Sequence, residues 1–235
     1  MQLDGIEGRV VVVTGGARGI GRCIAETFAR LGGRVAAGDL VRPEVADVLG
    51  VELDVRSESS VGDAFAVVER ELGPVELLVR NAGILISEPL PAVTLERWQQ
   101  QLEVNLTGAF LCARRALPVM QQAGYGRIVA VGSSAGKTGG GVAAAAYAAS
   151  KAGVMSLAKS IAKEYAASGI RSNAVAPALI DTEMIKGIGD LRSLIPLGRY
   201  GTPQEVADVV AFLCSDHSNF ITGEVVDVNG GFVID

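Results

Sequence analysis

Short runs of β-branched residues alternate along the chain with stretches of helical periodicity. The run Val10–Val13 is continuously hydrophobic, which is typical of a strand covered by helices on both faces. Alternation of such strands with helices indicates repeated β-α-β units and therefore a parallel sheet. The predicted strands span Arg9–Thr14, Arg34–Asp39, Val51–Asp54, Val75–Arg80, Arg127–Gly132, Arg171–Val175 and Val225–Val228.

Two long helical patterns, Thr94–Ala123 and Tyr147–Ser168, occupy the middle of the chain. A further helix opens at Thr202–Glu205, whose residues are those of an N-cap, a first-turn proline and a capping box. The segment between Asp39 and Asp54 is short, so we expect its helix to be reduced to a turn or two. The whole pattern predicts a doubly wound α/β sheet, in which ligands bind at the carboxyl ends of the strands.

Composition and charge narrow the functional classes. Of the 235 residues, 49% are hydrophobic and 20% are charged, which excludes a disordered or coiled-coil protein. No linker rich in proline, serine or charge divides the chain, so we expect residues 1–235 to form one domain. The formal net charge is −5 and no basic cluster is present, so we predict no nucleic-acid partner.

Targeting signals and metal-ligating side chains are sparse. The first residues lack the basic and apolar segments of a secretory signal. The longest apolar run, Val142–Ala149, is far shorter than the roughly 18 residues that cross a membrane. We therefore expect a cytoplasmic protein without membrane contact. The three cysteines form no CxxC pair, and the single histidine, His217, cannot alone build a metal site or a Ser-His-Asp triad, so we predict neither.

A glycine-rich turn, Thr14–Gly21, follows the first strand and leads into a helical pattern. Gly15 permits a tight turn, Gly19 lets the backbone approach a pyrophosphate, and Gly21 permits close packing of the helix on the sheet. The unpaired N–H groups at the start of the helix would then bind the anion. In this strand–turn–helix context, the motif predicts a dinucleotide site rather than a plain turn.

Acidic residues at two strand ends bear on the choice of dinucleotide. Asp39 stands 18 residues after the last loop glycine, where an acid can bind both ribose hydroxyls of an adenosine and repel a 2′-phosphate. Because Leu40 rather than a basic residue follows it, we predict NAD(H), with NADP(H) less favoured. Arg18 and Arg42 could meet a phosphate and argue against this prediction. Asp54 either bonds an adenine edge or forms a strand-end turn.

A tyrosine and a lysine lie one helical turn apart in Tyr147–Lys151. An adjacent cation stabilises a phenolate and lowers the pKa of tyrosine from about 10, so Tyr147 could exchange a proton with an alcohol oxygen. Ser133 and Ser134 follow a predicted strand that ends at the same crevice. Asn105 lies inside a long helix, where a buried asparagine indicates a kink or a water site.

These motifs together resemble the short-chain dehydrogenase/reductase family over nearly the whole chain. The resemblance implies a single-domain Rossmann fold with a seven-stranded parallel sheet and a substrate lid at about residues 183–200. It also implies that the long helices pair in a homo-oligomer, usually a tetramer. The matching motifs are Thr14–Gly21, Asn81-Ala82-Gly83, Asn105, Ser133, Tyr147–Lys151 and Asn173–Pro177.

The resemblance further implies roles for individual residues. Tyr147 would be the acid–base, and Ser133 would orient the substrate oxygen. Lys151 would bind the nicotinamide ribose and lower the pKa of the tyrosine, while Asn105 would hold a water that links Lys151 to solvent. The expected cofactor site comprises Gly15, Arg18, Gly19, Ile20, Gly21, Asp39, Asp54, Val55, Asn81, Ala82, Gly83, Tyr147, Lys151, Pro177, Ile180 and Thr182, the last two at the nicotinamide carboxamide.

Several positions depart from the family pattern. Ser134 lies at the commoner family distance from the tyrosine, but we assign Ser133 because it matches the Ser-x-x-Gly motif that follows the strand. Arg80 replaces the usual asparagine before the Asn-Ala-Gly motif and is expected to cost a hydrogen bond around the fourth strand. Ala178 replaces a usual glycine and should narrow the pocket floor.

The residues expected to face the substrate are apolar, although they could instead pack the lid on the sheet. They are Ile84, Leu85, Val142, Ala143, Leu179, Met184, Ile185 and Ile188. We therefore predict an NAD(H)-dependent oxidoreductase that transfers a hydride between nicotinamide and a neutral, moderately apolar secondary alcohol or ketone.

Two alternatives fit parts of the same pattern. A 3-oxoacyl-[acyl-carrier-protein] reductase is the first, and the resemblance associates such enzymes with NADPH. It also associates them with basic residues on a carrier-docking surface, where this chain has Gly124 and Ser168. The second is a catalytically silent nucleotide-binding regulator, against which the intact set of proton-relay residues argues.

Overall fold

The computed structural model, which describes residues 3–141, 144–185 and 189–234, contains seven strands. All pair in parallel, in the order third, second, first, fourth, fifth, sixth, seventh along the sheet. The strand order reverses between the first and the fourth strand, and a ligand crevice is expected at that point. The strands are β1 (Val10–Thr14), β2 (Arg34–Asp39), β3 (Leu49–Glu52), β4 (Leu77–Arg80), β5 (Gly126–Val131), β6 (Ile170–Pro177) and β7 (Val225–Val228).

Helices cover both faces of the sheet. They are α1 (Gly19–Arg30), α2 (Glu58–Glu71), α3 (Leu95–Leu102), α4 (Gly108–Ala123), α5 (Ala135–Thr138), α6 (Ala145–Tyr165) and α7 (Pro203–Cys214). Between α3 and α4 the chain makes one π-helical turn at Glu103–Thr107. Short 3₁₀ turns occur at Leu90–Ala92, Ala166–Ser168, Glu183–Ile185, Arg192–Leu194 and Asp216–Ser218.

The alternating side chains of β1 show why the strand is hydrophobic throughout. Val10 and Val12 enter a core shared with α2 and α4. Val11 and Val13 enter a second core shared with α1 and α7 on the opposite face. Both sets are buried because each face of the sheet carries helices. The predicted seven-stranded, doubly wound parallel sheet is therefore confirmed.

The largest difference from the predicted elements lies in the helix expected over Thr94–Ala123. It is interrupted by the π turn at Glu103–Thr107, which contains Asn105. A π turn inserts an extra residue into the helix and is frequent at functional sites. The shortened connection between β2 and β3 contains turns and no helix among its described residues.

Three further findings concern the C-terminal third of the chain and the described chain as a whole. The predicted capping box at the start of α7 is present, with Thr202 and Glu205 each bonding the other's backbone. The expected lid begins with the 3₁₀ turn Glu183–Ile185, and its residues 186–188 lie outside the described residues. In the described ranges, no helix is both long and apolar enough to cross a membrane.

Candidate active site

The glycine-rich loop between β1 and α1 is shaped for close contact with an anion. A Cβ atom on Gly21 would lie 2.0 Å from the Gly15 carbonyl oxygen, so α1 could not pack against the loop with any side chain there. At Gly19, whose φ is +57°, the nearest atom to such a Cβ would be Thr182 Cγ2 at 3.8 Å. Arg18 precedes α1 without a side-chain capping bond, which leaves the first-turn N–H groups available to a phosphate.

The ends of β1 and β4 are clamped together at the switch point of the sheet. Asn81 Nδ2 donates to the carbonyl oxygens of Thr14 at 3.0 Å and Gly15 at 2.9 Å. The Thr14 hydroxyl accepts from the N–H groups of Asn81 and Ala82, both at 3.1 Å. These bonds fix the glycine-rich loop against the Asn-Ala-Gly motif, so the residues expected around the cofactor share one rigid edge.

The two acidic residues expected at the adenosine end of the cofactor site have backbone partners. Asp39 Oδ2 accepts from the Ala17 N–H at 3.0 Å, and Oδ1 accepts from the Leu40 N–H at 2.9 Å. Asp54 forms an ion pair with Arg56 at 2.7 Å and accepts from the Arg56 N–H at 3.0 Å. The bond with Arg56 holds the pKa of Asp54 below its usual value. Of the two roles expected for Asp54, its bonds with Arg56 fit that of a turn former at the strand end.

Ser133, Tyr147 and Lys151 converge on a cleft beside the glycine-rich loop. The Ser133 hydroxyl accepts from the Ala135 N–H at 3.1 Å, and it lies close enough to the Tyr147 hydroxyl to lower the pKa of that group. Ser134 is buried but does not line the cleft, and its N–H donates to the Pro177 carbonyl at 2.9 Å. The described lining residues are Ile20, Asn81, Gly83, Val131, Gly132, Ser133, Tyr147, Lys151, Pro177, Ala178, Ile180, Thr182, Met184 and Ile185.

Burial governs the protonation of the tyrosine and the lysine. Burial raises the pKa of Tyr147, and Ser133 lowers it in part. The expected lowering of this pKa by Lys151 is not found, because burial of the phenol dominates. Burial lowers the pKa of Lys151 from 10.5 to about 8. The lysine ammonium lies 5.7 Å from the centroid of the Tyr147 ring and donates to the Val131 carbonyl at 2.8 Å. The pair therefore combines a neutral phenol with a cation that titrates near neutral pH.

Asn105 is fully engaged by hydrogen bonds in the interior. Its Oδ1 accepts from the Ile84 N–H at 2.8 Å, and its Nδ2 donates to the Ile84 carbonyl at 3.0 Å and to Ser150 Oγ at 2.9 Å. Ser150 in turn donates to the Tyr147 carbonyl at 2.7 Å. The π turn thus joins α6 through Ser150, a residue that the sequence had not pointed to. Its place one turn after Tyr147 was the available signal.

The residues predicted to face the substrate separate into four groups. Met184 and Ile185 line the cleft, together with Ala178 on its floor. Leu179 lines a neighbouring pocket, and Ile180 lines both that pocket and the cleft. Ile84 and Leu85 are half-buried beside the cleft and are not among its described lining residues. Val142, Ala143 and Ile188 lie outside the described residues.

Arg80 lies at the end of β4 and is 3% exposed. None of its three guanidinium nitrogens has a hydrogen-bond partner among the described residues. Burial lowers its pKa to about 10. Arg80 therefore destabilises the fold by more than the expected loss of one hydrogen bond, because its buried cation has no partner among the described residues.

Comparisons with known proteins agree with this architecture. The family model described as enoyl-(acyl carrier protein) reductase matches residues 15–233. The chain is 43% identical over 228 residues to the 3-oxoacyl-[acyl-carrier-protein] reductase MabA of Mycobacterium tuberculosis, covering 95% of this chain and 92% of that protein. It is 39% identical over 238 residues to the 3-oxoacyl-[acyl-carrier-protein] reductase FabG of Escherichia coli, covering 96% and 97%.

A solved structure shows the same fold. Ligand-free aldohexose dehydrogenase from Thermoplasma acidophilum superposes with a TM-score of 0.92 at 34% sequence identity, covering 98% of this chain and 96% of that chain. The relatives and the shared fold indicate that this protein is an enzyme acting on a hydroxyl or keto group, rather than a catalytically silent regulator.

The comparisons contradict the predicted preference for NAD(H) over NADP(H). The relatives are named 3-oxoacyl-[acyl-carrier-protein] reductases, the group that the sequence analysis associated with NADPH. The interpretation of Asp39 as a residue that excludes NADP(H) is therefore wrong. In the structure, both Asp39 oxygens already accept hydrogen bonds from backbone N–H groups.

Proposed function

The chain belongs to the short-chain dehydrogenase/reductase family, and from that premise we propose that it reduces the 3-keto group of a 3-oxoacyl thioester to a hydroxyl. One observation carries the proposal. Ser133, Tyr147 and Lys151 meet at one cleft in a chain whose relatives are 3-oxoacyl reductases along almost their full length. This reaction replaces the simple secondary alcohol or ketone as the preferred interpretation.

The apolar side of the cleft can bind the acyl chain of such a substrate. Ala178, Met184 and Ile185 give the cleft an apolar side that suits an acyl chain. Lys151 is the only basic residue among the described lining residues, and it is turned to the Val131 carbonyl. Among the described lining residues, no cation is free to bind a charged substrate group, so the cleft suits a neutral keto group beside Ser133 and Tyr147.

The proton chemistry follows from the positions of three side chains. When bound, a reduced nicotinamide supplies the hydride that the carbonyl carbon receives. Tyr147 gives its hydroxyl proton to the carbonyl oxygen, and Ser133 donates a hydrogen bond to the same oxygen. Lys151, close beneath the ring, stabilises the tyrosinate that remains until a proton from solvent restores it.

We assign the cofactor as NADPH, with its phosphates at the start of α1. The open backbone at Gly19 and the uncapped start of α1 suit a pyrophosphate. Arg18 and Arg42 are exposed at the same edge as Asp39 and form no ion pair with any described residue. Their guanidinium groups are the available cations for a 2′-phosphate.

The carrier of the acyl group is a separate question. At the two positions where the family resemblance places basic docking residues, this chain has Gly124 and Ser168. Gly124 directly follows α4, and Ser168 ends the turn Ala166–Ser168. The two backbones are packed closely here, because a Cβ on Gly169 would lie 2.0 Å from the Gly124 oxygen. Neither position offers a charge to an acidic carrier protein, which favours a coenzyme A thioester.

A direct assay tests the proposed reaction. Purified protein is mixed with NADPH and acetoacetyl-coenzyme A, and the loss of reduced nicotinamide absorbance is followed. We expect turnover that Tyr147→Phe abolishes. The same measurement with an acetoacetyl carrier protein separates the two carriers. Turnover of simple ketones with no turnover of either thioester would refute the proposal.

Assembly and compartment complete the proposal. We propose a homotetramer in which α4 and α6 pair across two-fold axes, supported by the exposure of Phe110 on α4 at 42%. Light scattering that shows only monomers at micromolar concentration would contradict it. A cytoplasmic location is supported by the three free thiols Cys23, Cys112 and Cys214.

A further inference from the structure

Gln101 is the one buried residue in α3. It is 0% exposed, whereas its neighbours Gln99 and Gln100 face solvent. Its side-chain carbonyl accepts from the Ile86 N–H at 2.5 Å. Its side-chain nitrogen has no hydrogen-bond partner among the described residues. An apolar residue would fill this position without leaving a buried amide nitrogen unpaired, so the contact with Ile86 is the feature that a glutamine adds.

A second amide, four residues later, binds the same backbone segment. Asn105 accepts from the Ile84 N–H at 2.8 Å, two residues before the N–H that Gln101 holds. Alternate N–H groups of an extended segment point to the same side. Gln101 and Asn105 therefore hold the segment Ile84–Ile86 together, one at each end.

This segment continues directly into the catalytic cleft. Gly83 lines the cleft, and a Cβ on it would lie 3.3 Å from both Asn105 Oδ1 and Lys151 Nζ. Asn105 also bonds Ser150, which bonds the Tyr147 carbonyl. The Ile84 backbone orients the Asn105 amide beside Lys151, so a shift of the Ile84–Ile86 segment would also shift that amide.

We propose that Gln101 is a positioning residue for catalysis, which acts through Ile84–Ile86 to hold Asn105 in place. The proposal rests on the proposed function in so far as Asn105, Tyr147 and Lys151 carry the reaction. It assigns no contact between Gln101 and the substrate. It requires that the effect of Gln101 on turnover pass through Asn105.

A double-mutant cycle tests this route, with acetoacetyl-coenzyme A and NADPH as substrates. Gln101→Met keeps the length of the side chain and removes the acceptor, and we expect about a fivefold loss of kcat, the equivalent of one hydrogen bond. KM and the Kd for NADPH should stay within about twofold. In an Asn105→Ala background, Gln101→Met should cause no further loss. Gln101→Glu, which keeps an acceptor oxygen, should keep most of the wild-type kcat.

Gln100→Met is the matched control, because it makes the same change on the exposed side of α3, and it should leave kcat unchanged. Equal losses from Gln101→Met in both backgrounds would show a general structural role and overturn the proposal. So would a loss confined to KM.

Hydrogen exchange of the free protein gives a readout that needs no substrate. The peptide over residues 84–90 should exchange faster in Gln101→Met than in Gln100→Met or wild type. Unchanged exchange would overturn the proposal even if no thioester were turned over. A protein with faster exchange and no thioester turnover would instead refute only the proposed reaction.

Discussion

The Lys151 ammonium lies 5.7 Å from the centre of the Tyr147 ring and is held there by the Val131 carbonyl at 2.8 Å. One residue of α6 thus places a buried cation beside the phenol of another, one helical turn away. The anchor on β5 matters because a free lysine side chain would extend toward water. The tyrosine–lysine pair is therefore fixed by both the helix and the sheet.

Tyr147→Phe should abolish most turnover and leave cofactor binding intact. The substitution removes only the hydroxyl that exchanges a proton, and general acid–base groups contribute about 10²–10⁴-fold. Steady-state kinetics measures the loss, and fluorescence titration with NADPH measures the binding. Turnover equal to that of wild type would remove Tyr147 from the mechanism.

Ser133→Ala should reduce turnover far more than Ser134→Ala. Ser133 lines the cleft and lowers the pKa of Tyr147, whereas Ser134 is not among the lining residues. Losing one donor to a developing oxyanion costs about 10²–10³-fold in kcat. Parallel kcat measurements on the two variants make the comparison, and the reverse order would transfer the role to Ser134.

Lys151 should make the stability of the free protein depend on alkaline pH. Its pKa is 10.5 in the unfolded chain and about 8 when buried, so between these values the unfolded state binds more protons. Stability from this group therefore rises with pH across that window, and the buried charge is a cost below it.

Lys151→Met, which cannot titrate, should lack this rise. Urea unfolding at about pH 7 and about pH 9.5 measures it. The difference in unfolding free energy between the wild type and the variant should move in favour of the wild type at the higher pH. A constant difference would mean that Lys151 is not desolvated in the free protein.

Arg80→Met should stabilise the protein. It keeps most of the apolar stem and removes a buried, unpaired guanidinium. For a chain of this size, each kcal/mol of stabilisation raises Tm by about 2–4 °C. Calorimetry of the variant should show a higher Tm, whereas Arg70→Met, at an exposed ion pair, should change Tm little. A lower Tm for Arg80→Met would reveal that the guanidinium has a stabilising partner.

Arg18→Ala and Arg42→Ala should each weaken NADPH binding more than NADH binding. The two cofactors differ only in the 2′-phosphate, and a charge-assisted bond to it contributes about 1.5–3 kcal/mol, or roughly tenfold or more in Kd. Titration of each variant with both cofactors gives the ratio. Equal weakening for the two would place both arginines away from the 2′-phosphate.

The sheet and the glycine-rich loop followed from the sequence because their signals are local. A strand buried on both faces must be hydrophobic at every position, as Val10–Val13 is. The turn into α1 needs glycine at Gly21, where the loop leaves no room for a Cβ. Tyr147 and Lys151 share a helical face at four-residue spacing, so helix geometry alone pairs them.

The contacts that orient these groups join residues far apart in the chain, and only the tertiary structure decided them. It brought Ser133 rather than Ser134 to Tyr147, set Asn105 in a π turn against Ile84 and Ser150, and left Arg80 without a partner among the described residues. The hydrogen-bond partners of Asp39, the N–H groups of Ala17 and Leu40, were likewise set by the tertiary structure. Periodicity and spacing specify which face of an element is buried, but hydrogen bonds between elements depend on how the packed faces meet in three dimensions.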